Sequence, residues 1–145
     1  MSSPAIVWFR QDMRLSDNPA LSEACRRGGP VIPVYIRAPE EDGGWQPGGA
    51  AKWWIHHALE DLGKSLHRHN SRLIIRRGES LKVLRDLIRE TGAGAMYWNR
   101  LYEPAHIKRD SHIKNALREE GIEVQSFPGS VLFEPASITN KQGKR

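Results

Sequence analysis

Polar side chains are concentrated in three short segments, and each of them follows an apolar run of the sequence. These segments are residues 10–14, 38–49 and 99–103. Two of them have aromatic neighbours, since Trp8 lies just before the first and Tyr102 lies within the third. A crevice with aromatic walls and a few fixed polar groups suits a planar heterocycle. The three segments are therefore candidate walls of a ligand site.

Sequence motifs for nucleotide, acyl or metal chemistry are missing. The turn after the first apolar run lacks G-x-G-x-x-G, and neither G-x-x-x-x-G-K-[ST] nor G-x-S-x-G occurs. His56 and His57 are adjacent on a predicted helix and would point roughly 100° apart, too far for one metal ion. Cys25, the single cysteine, has no ligand spacing to any histidine and is expected to be a buried thiol. We therefore predict no catalytic residue and no metal site in this chain.

Each polar candidate also has a structural interpretation. Asp12 and Arg14 could pair with each other or with a neighbouring domain, and we favour such a role over direct ligand contact. Asp17 and Asn18 directly precede a proline, which is typical of residues that cap a helix. For Glu103, ligand binding and a satisfied loop carboxylate both stay open.

The elements that must position these residues alternate between short apolar runs and longer amphipathic segments. Residues 5–9, 31–36, 73–75, 95–98 and 122–127 are predicted strands, and helices are predicted between them. This alternation predicts an α/β fold: a Rossmann-like, doubly wound, five-stranded parallel sheet with helices on both faces. Ligands of such sheets bind beyond the carboxyl ends of the strands, where the three polar segments lie.

The longest predicted helix follows the 38–49 segment. Apolar residues recur along it at three- and four-residue steps, which predicts one face towards the core. This predicted core face contains Ala51, Trp54, Ile55, Ala58, Leu59, Leu62 and Leu66.

Composition restricts the class of protein. A chain of 145 residues has the length of one ordinary domain, and its single cysteine excludes an internal disulfide framework. The net charge of +5 comes from cations spread along the chain, so we give direct DNA binding by charge alone little weight. There is no apolar run of bilayer length and no signal-peptide pattern, so we expect a cytoplasmic protein without a membrane partner.

A long motif near the start carries a family resemblance. Residues 6–21 have the sequence I-V-W-F-R-Q-D-M-R-L-S-D-N-P-A-L. This resembles the opening of DNA photolyases and cryptochromes, W-F-R-x-D-L-R-x-x-D-N-x-A-L, with Met13 in place of leucine. Residues 97–99, 102–104 and 109–110 are similar to the fourth strand and following helix of that family. The resemblance extends over essentially all 145 residues.

The resemblance implies a protein of two domains. Residues 1–135 would form the N-terminal α/β domain and residues 136–145 the start of an interdomain linker, with the C-terminal helical, FAD-binding domain absent. In such photolyases, photoexcited reduced FAD donates an electron to a pyrimidine dimer flipped out of DNA and splits it. The implied function is the light-harvesting domain of a deoxyribodipyrimidine photo-lyase, with the C-terminal domain and DNA as partners and no repair by this fragment alone. The alternatives are the same domain of a cryptochrome photoreceptor and a stand-alone nucleotide-binding module.

The resemblance also implies an antenna chromophore in this domain, namely methenyltetrahydrofolate, a deazaflavin or FMN. Folate-type members of the family have an Asn-Glu pair where this chain has Ala105 and His106. Deazaflavin-type members have an Asp where this chain has Leu101. A folate-like antenna, a flavin-like antenna and an empty pocket therefore all stay open. The small residues that open the longest helix would leave room for a ring, and a helix N-terminus suits an anionic group. The predicted antenna contacts are Arg10, Gln11, Asp12, Ala38, Gly48, Ala51, Lys52, Asn99, Leu101 and Glu103.

Overall fold

The computed structural model describes residues 3–10, 12–15, 17–38 and 49–128, and only the backbone of residues 49–52. Within these ranges, strands and helices alternate along the chain. In order, the elements are β1 (Ala5–Phe9), α1 (Pro19–Arg26), β2 (Val31–Arg37), α2 (Gly49–Arg68), β3 (Ile74–Arg77), α3 (Ser80–Thr91), β4 (Ala95–Asn99), α4 (Pro104–Glu119) and β5 (Glu123–Phe127).

The strands form one parallel sheet in the order β3-β2-β1-β4-β5. The central strand β1 pairs with β2 from Ala5 opposite Val31, and with β4 from Ala5 opposite Ala95. The chain first moves outward from β1 to β2 and β3, and then returns to β4 on the other side of β1. The strand order therefore reverses between β1 and β4, as the doubly wound prediction requires.

Helices cover both faces of the sheet because the buried strands have apolar side chains on each side. All five residues of β1 are buried, and alternate residues belong to different core clusters. The cluster on one face contains Val7 of β1 with residues of α1 and α2. The cluster on the other face contains Trp8 of β1 with residues of α3 and α4. The predicted α/β fold class is confirmed.

The predicted helix cap at the start of α1 is confirmed. The Asn18 side chain accepts a hydrogen bond from the backbone N–H of Leu21 at 3.0 Å, and Pro19 occupies the first helical position. Asp17, the residue before the cap, has a φ of 49°, which an aspartate tolerates better than most side chains. The end of α3 is fixed by Gly92, whose φ of 72° lies in the left-handed region that favours glycine.

The prediction that Trp54 faces the core was wrong. Trp54 is 53% exposed, and the buried residues among the described side chains of α2 are Leu62 and Leu66, near its C-terminal end. The reason is length. A helix of 20 residues is about 30 Å long, whereas strands of five to seven residues are about 17–23 Å long. The first half of α2 therefore extends past the part of the sheet that could cover it.

The expectation of a buried thiol was also wrong, since Cys25 is exposed. Ala20 and Ala24 are the buried residues of α1, and they face the sheet one turn apart. Cys25 is the next residue after Ala24, so its side chain lies roughly 100° further around the helix, away from the sheet.

Two further expectations concern the membrane and the domain boundary. Among the described helices, none is long and apolar enough to cross a membrane. The predicted domain boundary at residue 135 and the predicted linker at 136–145 lie outside the described residues.

Candidate functional site

The carboxyl ends of β1 and β4 lie side by side at the point where the strand order reverses. Trp8 of β1 is in register with Trp98 of β4, so the chain leaves both strands at the same edge of the sheet. Arg10 begins the loop after β1, and Asn99 is the last residue of β4. This is the edge at which open parallel sheets of this class bind ligands.

Asn99 joins the loop after β1 to the end of β4 through side-chain hydrogen bonds. Its Nδ2 donates to Asp12 Oδ2 and, at 2.8 Å, to Asn18 Oδ1, while its Oδ1 accepts from the backbone N–H of Ala20 at 3.0 Å. The other carboxylate oxygen, Asp12 Oδ1, accepts from the backbone N–H of Arg10 at 2.9 Å. Asn99, Asp12 and Asn18 are all buried. These polar groups are therefore satisfied within the domain itself.

Arg10 brings a positive charge into this buried edge. Its Nη1 donates to both carboxylate oxygens of Asp110 at 2.9 Å, and its Nη2 donates to the backbone carbonyl oxygen of Asn99. Burial lowers the pKa of Arg10, and the negative charge of Asp110 opposes that effect. Arg109 adds a further bond, from Nε to Asp110 Oδ1 at 3.1 Å. Removal of Asp110 would thus leave a buried, poorly compensated cation.

Two tryptophans enclose this ion pair. Trp8 and Trp98 meet edge to face, with ring centres 5.3 Å apart. The Arg10 guanidinium lies 4.5 Å from the Trp8 ring centre and 5.6 Å from that of Trp98, and the Arg109 guanidinium lies 5.1 Å from Trp8. These are distances at which a cation is attracted to an aromatic face. The aromatic walls of the edge therefore hold arginine side chains of the same chain.

We call the buried, mutually bonded residues of this edge the edge network. Its members are Arg10, Asp12, Asn18, Asn99 and Asp110.

The first half of α2 is a contrasting, open region. Trp53 and Trp54 are 63% and 53% exposed, and the Trp53 ring centre lies 4.1 Å from that of His57. On the same helix His56 Nε2 lies 3.0 Å from Glu60 Oε1. Because α2 follows β2, this half of the helix lies towards the carboxyl edge of the sheet. We call Trp53, Trp54, His56 and His57 the α2 surface.

The edge network and the α2 surface offer different kinds of contact to a ligand. They contain no group of three or more His, Cys, Asp or Glu side chains that could hold a metal ion. The edge network is a set of fixed donors and acceptors that bond mainly to one another, and Arg10 Nε is its one buried donor without a partner among the described residues. The α2 surface offers aromatic rings to solvent, and exposed rings of this kind can stack on a planar ligand.

Comparisons with known proteins decide the family. The DNA photolyase family model matches residues 5–145. The chain belongs to the DNA photolyase family. It is 48% identical over 142 residues to a deoxyribodipyrimidine photo-lyase of Agrobacterium fabrum, a match that covers 98% of this chain and 29% of that protein. It is 41% identical to cryptochrome-1 of Arabidopsis thaliana, covering 97% of this chain and 21% of that protein.

Solved photolyases have the same fold over the length of this chain. A bacterial class III photolyase from Agrobacterium tumefaciens superposes with a TM-score of 0.91 at 47% identity, covering 99% of this chain and 29% of that structure. An archaeal photolyase from Sulfolobus tokodaii, described with two FAD molecules, superposes with a TM-score of 0.84 at 30% identity. It covers 94% of this chain and 32% of that structure. The chain thus spans less than a third of the length of these photolyases.

The structure brings three of the predicted antenna contacts together. Arg10, Asp12 and Asn99 meet in the edge network, where they form hydrogen bonds with other residues of this photolyase domain. Contact between these residues and a chromophore stays a prediction. Asp12 does not pair with the Arg14 side chain through its carboxylate; instead its backbone carbonyl oxygen accepts from the Arg14 N–H at 2.8 Å.

The other predicted contacts do not take part in the edge network as far as the structure describes them. Leu101 is buried, and Ala38 packs against the core cluster on the Trp8 face. Glu103 is exposed just before α4, and its Oε1 lies 3.9 Å from His106 Nδ1. Gln11 and Gly48 lie outside the described residues, and Ala51 and Lys52 are described only by their backbone in α2.

Sequence reasoning did not assign Asp110 or the second role of Asn18. The signal for Asp110 was present in the spacing of α4, because His106, Asp110, Ile113 and Leu117 recur at three- and four-residue steps and are all buried. A carboxylate on a core-facing stripe requires a partner. The double role of Asn18 had no sequence signal, because its contact with Asn99 joins residues far apart in the chain.

Proposed function

We propose that this chain is the light-harvesting N-terminal domain of a DNA photolyase that repairs pyrimidine dimers with light and FAD. Support comes from the family match and from the sequence identities, which are higher with a photolyase than with two cryptochromes. The Agrobacterium photolyase is 48% identical to the chain, against 41% and 43% for two Arabidopsis cryptochromes. The alternative, the same domain of a cryptochrome photoreceptor, is supported by those lower but substantial identities. A cytoplasmic location accords with this assignment.

The catalytic cofactor belongs elsewhere in this proposal. FAD would be bound by the part of the photolyase that this chain does not span, and DNA would be bound through the complete enzyme. FAD supplies the electron that splits the dimer, and the protein positions it. The described residues of this chain would contribute a rigid platform for the antenna and a surface for the rest of the enzyme.

The observation that carries the antenna assignment is the exposed pair Trp53 and Trp54 at the carboxyl edge of the sheet. A planar chromophore needs an accessible aromatic or apolar wall. The edge network offers none, since Arg10 already occupies the faces of Trp8 and Trp98. The α2 surface fits the requirement. We therefore propose that the antenna stacks on the α2 surface and that the edge network supports the loops beneath it.

A flavin-like antenna fits this chain better than a folate. The Sulfolobus photolyase is described with two FAD molecules, so a relative of this fold accommodates a second flavin. Ala105 and His106 replace the polar pair that folate-type members carry, which removes two contacts for methenyltetrahydrofolate. We expect FMN to bind more tightly to the chain than methenyltetrahydrofolate does.

A titration tests this proposal. FMN is titrated with the chain and its own fluorescence is recorded, so that loss of a protein tryptophan does not affect the signal. Trp54→Ala is expected to weaken binding about tenfold, since stacking on an aromatic side chain contributes about 1–3 kcal/mol per ring. Ile107→Ala, which removes an exposed apolar side chain from α4, is the matched control and should leave the affinity unchanged. Failure of FMN and methenyltetrahydrofolate alike to bind with one-to-one stoichiometry would contradict the antenna role.

A further inference from the structure

Three cations converge on the end of β5, on the opposite face of the sheet from α2. Arg100 follows β4, and Lys114 and Arg118 lie one turn apart on α4. All three direct donors at the backbone or side chains of β5 residues 124–126. We call Arg100, Lys114, Arg118 and Ser126 the cationic cluster.

The hydroxyl of Ser126 lies at the centre of the cationic cluster. Arg100 Nε donates to Ser126 Oγ at 3.1 Å, and Lys114 Nζ donates to the same oxygen at 3.0 Å. A serine hydroxyl has two acceptor sites and one donor proton. Both acceptor sites are therefore used, and the O–H proton is left to donate. Among the described residues, Ser126 Oγ forms only these two side-chain hydrogen bonds, so its proton can turn to donate to a group from outside.

The charge of the cluster points to the same kind of group. Arg118 Nη2 donates to the neutral carbonyl oxygen of Val124 at 2.8 Å. In the described part of the chain, neither Lys114 nor Arg118 forms an ion pair with a carboxylate. Partial burial lowers the pKa of the Lys114 ammonium, and the like charges of Arg118 and Arg100 lower it further, against a smaller opposing effect of Asp110. An anion bound by Lys114 and Arg118 would relieve the repulsion between these two cations.

We propose that the cationic cluster binds a phosphate-type oxyanion that accepts hydrogen bonds from the Ser126 hydroxyl, Lys114 and Arg118. A tetrahedral oxyanion has several acceptor oxygens, so it can satisfy a hydroxyl and converging cations at once. Bonds from cations to oxyanions are among the stronger hydrogen bonds of proteins. The site lies on the Trp8 face of the sheet, whereas the α2 surface lies on the Val7 face. The proposal is therefore independent of the antenna assignment.

The test is a titration of the chain with inorganic phosphate at constant ionic strength, followed by amide NMR. Saturable shifts at Lys114, Arg118 and Ser126 are expected, with a Kd on the order of 1 mM. Ser126→Ala keeps every charge but removes the donor proton, and it should weaken binding about fivefold or more. Lys114→Ala should weaken it about tenfold. Lys108→Ala removes an exposed charge from the same helix and should have no effect.

Two results would overturn the proposal. One is the absence of saturable shifts at the cluster up to about 10 mM phosphate, far above the expected Kd. The other is equal weakening by Lys108→Ala and Ser126→Ala, which would mean an adventitious ion only, held by the general field of the protein. Thermal unfolding of each variant shows whether it keeps its fold, and Ser126→Ala retains the test if Lys114→Ala does not fold.

A second arm identifies the source of the phosphate. A short DNA duplex is added to the phosphate-saturated chain at the same ionic strength. Displacement of phosphate, with shifts at the same three residues, would support the proposal with a nucleic-acid backbone as the source. Retention of phosphate would support it with a small free anion as the source.

Discussion

The edge network and the α2 surface lie near the same edge of the sheet, yet they differ in almost every physical respect. The network is buried, charged and bonded to itself, as the Arg10–Asp110 pair shows. The α2 surface is exposed and aromatic, and the described ion pairs on it are solvent-exposed histidine contacts with Glu60. Polar residues at the carboxyl edge of a parallel sheet can therefore serve the fold, while exposed aromatic side chains lie on a neighbouring helix.

The difference has a simple origin in the sequence. Each loop residue of the network has a partner supplied by a distant segment, although the buried Nε of Arg10 has no hydrogen-bond partner among the described residues. By contrast, α2 is longer than the strands it covers, and Trp53 and Trp54 in its first half are exposed. This comparison predicts that substitutions in the network change stability, whereas substitutions on the α2 surface change binding.

The largest expected effect is that of Asp110→Ala. It leaves the Arg10 guanidinium buried without its carboxylate, which should lower the free energy of unfolding by about 3–5 kcal/mol. Urea unfolding followed by circular dichroism measures this. Replacing both partners, Arg10→Met with Asp110→Leu, should recover much of the loss because apolar side chains then replace the buried Arg10–Asp110 pair. Glu119→Ala, an exposed change on the same helix, is the control. If Asp110→Ala lowered the free energy of unfolding no more than Glu119→Ala does, the edge network would not stabilise the fold as this comparison requires.

The next largest effect is expected within α2, where a substitution at a buried position should cost far more stability than one at an exposed position. Leu62 is 2% exposed, and Leu62→Ala should cost about 2–5 kcal/mol of unfolding free energy through the cavity it leaves. Trp54→Ala removes a larger side chain but should change stability by less than about 0.5 kcal/mol, as exposed substitutions usually do. Thermal unfolding of both variants checks this. A costly Trp54→Ala would mean that the tryptophan packs on the domain, and the α2 surface would not be open.

Asn99→Ala should have a smaller effect than either of the two costly changes above. It removes three side-chain hydrogen bonds, to Asp12, Asn18 and the backbone of Ala20. Buried partners left unsatisfied should cost about 1–3 kcal/mol. Asn115→Ala, at an exposed position of α4, is the matched control for the same chemical change. Denaturant unfolding of the two variants compares them, and equal midpoints would show that the network contributes little.

The parts of this molecule that could be predicted from sequence are those set by local pattern. The apolar runs located the strands, and Asn18 before Pro19 located the start of α1. Sequence alone could not predict that the polar residues of the edge bond to one another. The bonds from Arg10 to Asp110 and from Asn99 to Asp12 join residues far apart in the chain. The exposure of Trp54 was missed for another reason: periodicity identifies the apolar face of a helix, but not how far the sheet extends beneath it.

The smallest expected effect is a pH dependence of stability caused by Tyr97, a buried residue of β4. Its hydroxyl donates to Glu123 Oε2 at 2.7 Å, and burial, followed by that hydrogen bond, raises its pKa from 10.0 to about 12. A group whose pKa is raised on folding stabilises the fold below its unfolded pKa, and that contribution is lost as pH rises through the folded value. Stability should therefore fall between pH 10 and about pH 12. Unfolding measured across this range should show a shallower fall in Tyr97→Phe; equal slopes would remove Tyr97 as the cause.

The most direct test of the account is to map bound FMN on the chain by amide NMR, since the two regions are separate sets of residues. We predict that FMN shifts the amide signals of Trp53 and Trp54 and leaves those of Arg10, Asp12 and Asn99 unchanged. Shifts confined to Arg10, Asp12 and Asn99, with the α2 surface unaffected, would contradict the account and would place the chromophore in the edge network.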